Sequence, residues 1–154
     1  MMRLLKRGGL GLGLLLLVAQ LVPVERSNPP APGGLVEVPA PIADTLRRAC
    51  YDCHSGQTVW PWYSRIAPVS WLVAHDVAEG REHLDFSAWT TLRPRRQAKL
   101  LAKIIEEVRE GEMPTVLYRL LHPEARLDER DQAALVDWAS RAGAALTRGE
   151  PEAP

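Results

Sequence analysis

The stretch Cys50-Tyr51-Asp52-Cys53-His54 decides what this sequence folds around, and it contains the only two cysteines of the chain. On a helical turn, positions i, i+3 and i+4 lie on one side, so Cys50, Cys53 and His54 can meet the same ligand. Cys-x-x-Cys-His is the attachment signature of c-type haem, in which two thiols add to the vinyl groups at one porphyrin edge and the imidazole binds the iron. The motif therefore predicts one covalent haem c, held by Cys50 and Cys53, with His54 as an iron ligand.

Three other interpretations of the cysteine pair fit the sequence less well. A thioredoxin-like redox pair is expected beside a βαβ pattern, and no such pattern is visible. A zinc site needs a second Cys or His pair at ligand spacing, which the sequence lacks. A disulfide between residues three apart would close a very small loop and would stabilise the fold little.

The length and charge of the chain limit its class. Its 154 residues leave room for one domain of ordinary size and a targeting segment. The 19 basic residues are balanced by 19 acidic ones, so no excess of positive charge predicts nucleic-acid binding. A domain of about 115 residues buries only about two-thirds of its unfolded surface, so a covalent haem would add useful apolar core.

Residues 1–26 have the pattern of a signal-anchor. Three basic residues, Arg3, Lys6 and Arg7, precede an uncharged run over residues 8–24, which is at the short end of what spans a bilayer as a helix. No Ala-x-Ala cleavage site follows the run, which favours an uncleaved transmembrane anchor. By the positive-inside rule we expect the rest of the chain on the periplasmic side of a bacterial inner membrane.

The remaining chain is predicted to be a tether followed by an all-α domain. Residues 27–41 contain five prolines and are expected to form an extended tether with little structure of its own. Residues 42–148 show helical spacing of apolar side chains and no strand pattern, which predicts a helical haem-binding domain. A helix starting near Pro41 delivers the motif, a long one runs from Pro94 to Glu110, and Asp128 caps the last.

An aromatic loop, Trp60-Pro61-Trp62-Tyr63, follows the motif closely. The indole N–H groups of Trp60 and Trp62, or the guanidinium of Arg65, could bind a haem propionate as part of a pocket wall. The same aromatic side chains could instead be ordinary core packing, and the sequence leaves both interpretations open.

The second axial ligand of a six-coordinate haem would be a methionine or a histidine. Met113, next to Pro114, lies just past a predicted helix end, where a thioether can point inward without interrupting a helix. A lone methionine is usually core filler, but Met113 is the only one outside the export segment, which favours ligation. His75 is the second candidate, and the two remaining histidines, His83 and His122, are expected at the surface or at helix ends.

The sequence resembles the bacterial haem-binding domain family, whose members are small exported proteins with a single Cys-x-x-Cys-His and commonly a membrane segment. The resemblance runs from about Gln20 to Trp138 and implies haem binding more firmly than any reaction. Its segments include Asn28-Pro29-Pro30, the motif, Trp60-Pro61-Trp62-Tyr63-Ser64, Glu79-Gly80-Arg81 and Gly111-Glu112-Met113-Pro114. Two positions depart from the family pattern, because Gly56 replaces the usual Asn and Thr115 replaces a usual second Pro.

The order of elements also resembles small monohaem cytochromes c. In that fold the first and last helices pack together, which here implies contact between Ile42 and Leu46 on one helix and Leu135 and Trp138 on the other.

Two functions are compatible with these predictions, and a binding module in which the haem is purely structural is a third. A membrane-tethered one-electron carrier would have two strong axial ligands, no catalytic residues and redox proteins as partners. A haem enzyme, or a sensor of gas or peroxide, would need an open or displaceable distal position and a distal polar group such as His75 or Arg81. We expect the carrier, and therefore not an enzyme.

Overall fold

The computed structural model describes residues 2–32 and 34–149, with side chains described from residue 8 onwards. All regular structure in these residues is helical, which confirms the predicted all-α fold. Three short 3₁₀ turns, at Trp62–Arg65, Phe86–Thr91 and Pro123–Ala125, join the longer elements. The α-helices are α1 Met2–Ala19, α2 Ala40–Ala49, α3 Tyr51–His54, α4 Val69–His83, α5 Pro94–Glu110, α6 Val116–Leu121 and α7 Glu129–Arg148.

The core forms where the amphipathic faces of α2, α5 and α7 meet. α5 and α7 pack along each other over the largest helix interface in the described chain. α2 also contacts α7, and the four residues predicted to join the first and last helices all lie in the same buried cluster. These four are Ile42, Leu46, Leu135 and Trp138. The predicted pairing is therefore confirmed, although α5 is the main partner of α7.

Helix ends follow the signals in the sequence. α5 begins at Pro94 and ends at Glu110, and it is capped by Gly111, whose φ of 73° is in the left-handed region that favours glycine. α7 begins with a capping box, in which Asp128 and Asp131 each accept from the other's backbone N–H. Asp131 also pairs with Arg48 of α2, so the start of the last helix is fixed to the helix that leads into the motif.

α1 covers most of the segment predicted as a signal-anchor. In the part of the chain that the structure describes, no helix combines the length and apolar character needed to cross a membrane. The transmembrane anchor stays a prediction. The side chains of the basic residues that led to the prediction, Arg3, Lys6 and Arg7, lie outside the described residues.

The segment predicted as a tether lies against the domain. The side-chain amide of Asn28 donates to the backbone oxygen of Thr58 at 2.9 Å. Just before the tether, the side-chain amide of Gln20 donates to the backbone oxygen of Ala67 at 3.1 Å and accepts from its N–H at 2.9 Å. Val36 is buried in the core, although the described residues between α1 and Ala40 contain no helix. Gly33 lies outside the described residues, and the domain boundaries at 26 and 41 stay a prediction.

Candidate functional site

The Cys-x-x-Cys-His motif directly follows α2 and consists of Cys50 and the short helix α3. Cys50 is the residue between the two helices, and its carbonyl accepts the N–H groups of Cys53 at 3.2 Å and of His54 at 2.9 Å. These two bonds close a helical turn, on which residues three and four apart lie on one side. The local structure is therefore the one that the motif predicts, at the end of the first helix of the domain.

The imidazole of His54 is held by two backbone carbonyls of α4. Its Nδ1 atom lies 2.9 Å from the oxygen of Gly80 and 3.0 Å from the oxygen of Leu84. A carbonyl oxygen can only accept, so Nδ1 carries the hydrogen and the lone pair of the neutral ring is on Nε2. Burial lowers the pKa of His54, although the two carbonyl bonds act in the opposite direction, so the ring is neutral at pH 7. A neutral imidazole with its second nitrogen bonded to backbone is the usual form of a metal-binding histidine.

Gly80 is needed where α4 meets the motif. A Cβ atom at this position would lie 2.6 Å from the carbonyl oxygen of Cys53 and 3.0 Å from its Cβ. Because the nearest obstacle is backbone, no side-chain rotation would relieve the clash. Gly80 therefore belongs to the site because it has no side chain, and the sequence signal for it is its place in the Glu79-Gly80-Arg81 segment of the family resemblance.

Both motif thiols are free and are poor candidates for thiolate chemistry. Burial raises the pKa of Cys50 to about 12, with the neighbouring Cys53 adding to the effect and Arg48 opposing it. Burial also raises the pKa of Cys53 to about 11, helped by Asp52 and Asp76. Reactive redox cysteines have lowered pKa values instead. Within the described residues no group of three or more His, Cys, Asp or Glu side chains is placed to hold a metal ion.

Arg81 connects the motif to the N-terminal segment. Its guanidinium donates to four oxygens, on Ser55 at 2.8 Å, Ser27 at 3.0 Å, Asn28 at 3.3 Å and Thr58 at 2.8 Å. Four of the five guanidinium N–H groups are therefore used. The suggestion that Arg81 serves as a distal polar group is not supported. The sequence does not reveal this role, because all four acceptors lie at least 23 residues from Arg81 along the chain and two of them are backbone atoms.

The three residues proposed for a haem pocket have different surroundings. The indole N–H of Trp60 donates to Asn28 at 3.2 Å, so it is already used. Trp62 is 74% exposed and meets Tyr63 edge to face, with ring centroids 5.8 Å apart. Arg65 lines a small cavity of about 120 Å³ beside the N-terminal segment. Their part in haem binding stays a prediction.

Met113 lies on the short loop after α5 and is 37% exposed, with its backbone N–H bonded to the Glu107 carbonyl at 3.3 Å. Its role as second axial ligand stays a prediction. His75 and His83 are both exposed, one turn before and one turn after Glu79. Their Nε2 atoms lie 3.6 Å and 3.9 Å, respectively, from the carboxylate oxygens of Glu79. The expected surface position of His83 is confirmed.

His122 is at the C-terminal end of α6, as expected for a residue at a helix end, but it is also part of a side-chain cluster. Its ring stacks on Tyr118, with centroids 4.3 Å apart, and its Nε2 atom lies 2.6 Å from the Tyr63 hydroxyl. Tyr118 in turn donates to Asp52 of the motif at 2.7 Å. The cluster joins α6 to the motif across 66 residues of sequence, and no sequence pattern indicates it.

The model of the haem-binding domain family matches residues 14–141 of the chain. The chain belongs to the haem-binding domain family. No curated protein and no solved structure matches it.

The residues of this haem-binding domain fit a haem on two structural grounds. His54 presents a neutral imidazole, and both motif thiols are protonated and can form neutral thioethers. In addition, α6 buries none of its residues although it is bonded to the motif through Tyr118. A group of exposed large apolar side chains of this kind marks a ligand-binding or interaction surface, which an apolar porphyrin could cover. The group comprises Met113, Val116, Leu117, Leu120 and Leu121.

Proposed function

We propose that this haem-binding domain carries one haem c, linked through thioethers to Cys50 and Cys53, with His54 as an iron ligand. The observation that carries the proposal is the fixed tautomer of His54, whose Nδ1–H is bonded to the carbonyls of Gly80 and Leu84. The spacing of the two cysteines supports covalent attachment, because Cys-x-x-Cys-His is the attachment signature of c-type haem.

We further propose that the domain is a one-electron carrier. His54 and Met113 would hold the iron of such a haem, and a haem held by two strong ligands would supply one-electron exchange without an open coordination position. The enzyme or sensor alternative calls for a distal polar group, yet Arg81 is engaged by four oxygens and the His75 side chain is 70% exposed. These positions favour the carrier, with redox proteins as its partners.

The proposed location is the periplasmic side of the bacterial inner membrane, with attachment through the N-terminal segment. Basic residues followed by an apolar run are the pattern of an export signal. The pairing of Gln20 with Ala67 would keep the domain next to the end of α1. Cell fractionation and N-terminal sequencing test this proposal. Protein recovered from the soluble periplasm with an N-terminus at or beyond Gln20 would contradict attachment.

The decisive experiment on haem is a mass measurement after denaturation. The exported protein, made together with haem-attachment machinery, should have a polypeptide mass increased by one haem that acid acetone does not extract. The variant with both Cys50→Ala and Cys53→Ala should show the unmodified mass. Unmodified wild-type protein would refute covalent attachment.

Carbon monoxide separates the two functions. Reduced wild-type protein that leaves carbon monoxide unbound and, when oxidised, shows a sulfur-to-iron charge-transfer band would support the carrier. Rapid and complete carbon monoxide binding would instead support an enzyme or sensor with an open distal position.

A further inference from the structure

Asp52, which lies between the two motif cysteines, uses both of its carboxylate oxygens. Oδ1 accepts the backbone N–H of Val59 at 2.8 Å, and Oδ2 accepts the hydroxyl of Tyr118 at 2.7 Å. Burial and the bond to Asp52 raise the pKa of Tyr118, so the phenol keeps its proton and remains the donor at neutral pH. A hydrogen bond to a carboxylate is about twice as strong as one between neutral groups. The bond therefore makes a firm connection between the motif and α6.

Tyr118 lies shortly after Met113, in the helix that directly follows the Met113 loop. The loop is also bonded at its other end, where the N–H groups of Glu112 and Met113 both donate to the carbonyl of Glu107 in α5. Only residues 114 and 115 separate Met113 from α6, so Met113 can move little relative to the start of this helix. The position of Met113 consequently depends on where α6 is held.

Polar contacts, rather than apolar packing, hold α6 in place. None of its six residues is buried, and a helix this short is marginal in water on its own. Besides the Tyr118 bond, His122 contacts Tyr63 at 2.6 Å, and Arg119 donates to the Gly111 carbonyl at 3.3 Å. Of these, the Tyr118 bond is the one that reaches the haem motif itself.

We propose that Tyr118, through its bond to Asp52, is the positioning residue that sets the Met113 loop against the haem motif. The inference rests on the proposed function, in which Met113 is the second axial ligand. The bond between Tyr63 and His122 acts at the far end of α6 and reaches the aromatic loop instead of the motif. Its loss should therefore disturb Met113 less.

Tyr118→Phe is the sharpest test, because it removes one hydroxyl and keeps the ring that stacks on His122. Tyr63→Phe is the matched control, since it also removes one phenol hydroxyl from the same cluster. Both are prepared as full-length, haem-loaded protein. The charge-transfer band of the oxidised protein and the carbon monoxide affinity of the reduced protein are then measured. Tyr118→Phe should weaken the band and raise the affinity by about tenfold, the equivalent of one hydrogen bond to a charged group. Tyr63→Phe should change both less.

The results separate the inference from the proposal on which it rests. If Met113→Ala opens the distal site but Tyr118→Phe behaves as wild type, Met113 is the ligand and the positioning role is refuted. An equal effect of Tyr63→Phe also refutes it. If Met113→Ala changes nothing, the ligand assignment itself fails. Should Tyr118→Phe not retain haem, Asp52→Asn weakens the same bond from its other side and must show the same increase in carbon monoxide affinity.

Discussion

The Nδ1 atom of His54 lies 2.9 Å from the carbonyl oxygen of Gly80, a residue whose missing side chain lets α4 approach the backbone of the motif closely. Any Cβ atom there would meet the backbone oxygen of Cys53 at 2.6 Å. One residue of α4 therefore both orients the imidazole and leaves room for the motif turn. Placement of the iron ligand depends on a helix that is 26 residues away in sequence.

Gly80→Ala should separate α4 from the motif. We expect a loss of about 1–3 kcal/mol in the free energy of unfolding, as for other overpacked sites, together with a lower yield of attached haem. Urea unfolding and the ratio of haem to protein would measure the two effects. Gly143→Ala is the matched control, because its Cβ would meet Leu101 at an ordinary 3.9 Å and alanine favours helix. Equal stability of Gly80→Ala and wild type would contradict the close approach.

Arg81→Lys should weaken the connection between the motif and the N-terminal segment. A lysine ammonium has three donors at one point and cannot reproduce the planar set of bonds that Arg81 makes to Ser55, Thr58, Ser27 and Asn28. We expect about 2 kcal/mol lower stability and faster proteolysis before residue 30. Arg95→Lys, on the exposed face of α5, should change stability by less than about 0.5 kcal/mol. A similar loss of stability and a similar rate of proteolysis in the two variants would show that the N-terminal segment is not held through Arg81.

The ion pair between Arg48 and Asp131 should make stability depend on pH. Burial alone would raise the pKa of Asp131, but the hydrogen bonds from Arg48 and the Asp128 backbone hold it below its ordinary value of 3.8. A lowered pKa in the folded state means that the pair stabilises the fold above pH 3.8 and that this contribution is lost as the pH falls through the lowered value.

Asp131→Asn should therefore lower the free energy of unfolding by about 1 kcal/mol at pH 7. This difference in stability from the wild type should become smaller as the pH falls below 3.8. Urea unfolding at a series of pH values would measure it. Asp137→Asn removes an exposed pair with Arg141 on the same helix and should cost less than about 0.5 kcal/mol. A constant difference for Asp131→Asn down to pH 2 would contradict the lowered pKa.

The motif and the helices could be predicted from sequence because their signals are local. Cys50, Cys53 and His54 lie within five residues, and Asp128 caps α7 through a residue three positions later. The helices that build the core likewise show their apolar faces within a few turns.

The remaining features depend on contacts that no local pattern reports. Proline and glycine in residues 27–41 indicate the absence of helix, but they do not indicate whether the extended chain finds partners, as Asn28 does at Thr58 and Trp60. A tyrosine such as Tyr118 has no sequence signal that pairs it with Asp52. These contacts arise only once the helices have packed.

Thr115 directly precedes α6, at the position where the family resemblance leads us to expect a second proline. Its φ of −57° suits proline, its side chain makes no capping bond, and the described backbone bonds include none donated by its N–H. Thr115→Pro should therefore stabilise the fold by about 0.4–1 kcal/mol, because it restricts the unfolded chain without straining the folded one. If Met113 is the second ligand, the stiffer loop should also slow carbon monoxide binding to the reduced protein. Thr115→Ala is the control, since it removes the same side chain but leaves the backbone free. A Thr115→Pro protein that is less stable than Thr115→Ala would contradict the backbone fit. A more stable protein with unchanged carbon monoxide binding would show that the loop does not control access to the iron.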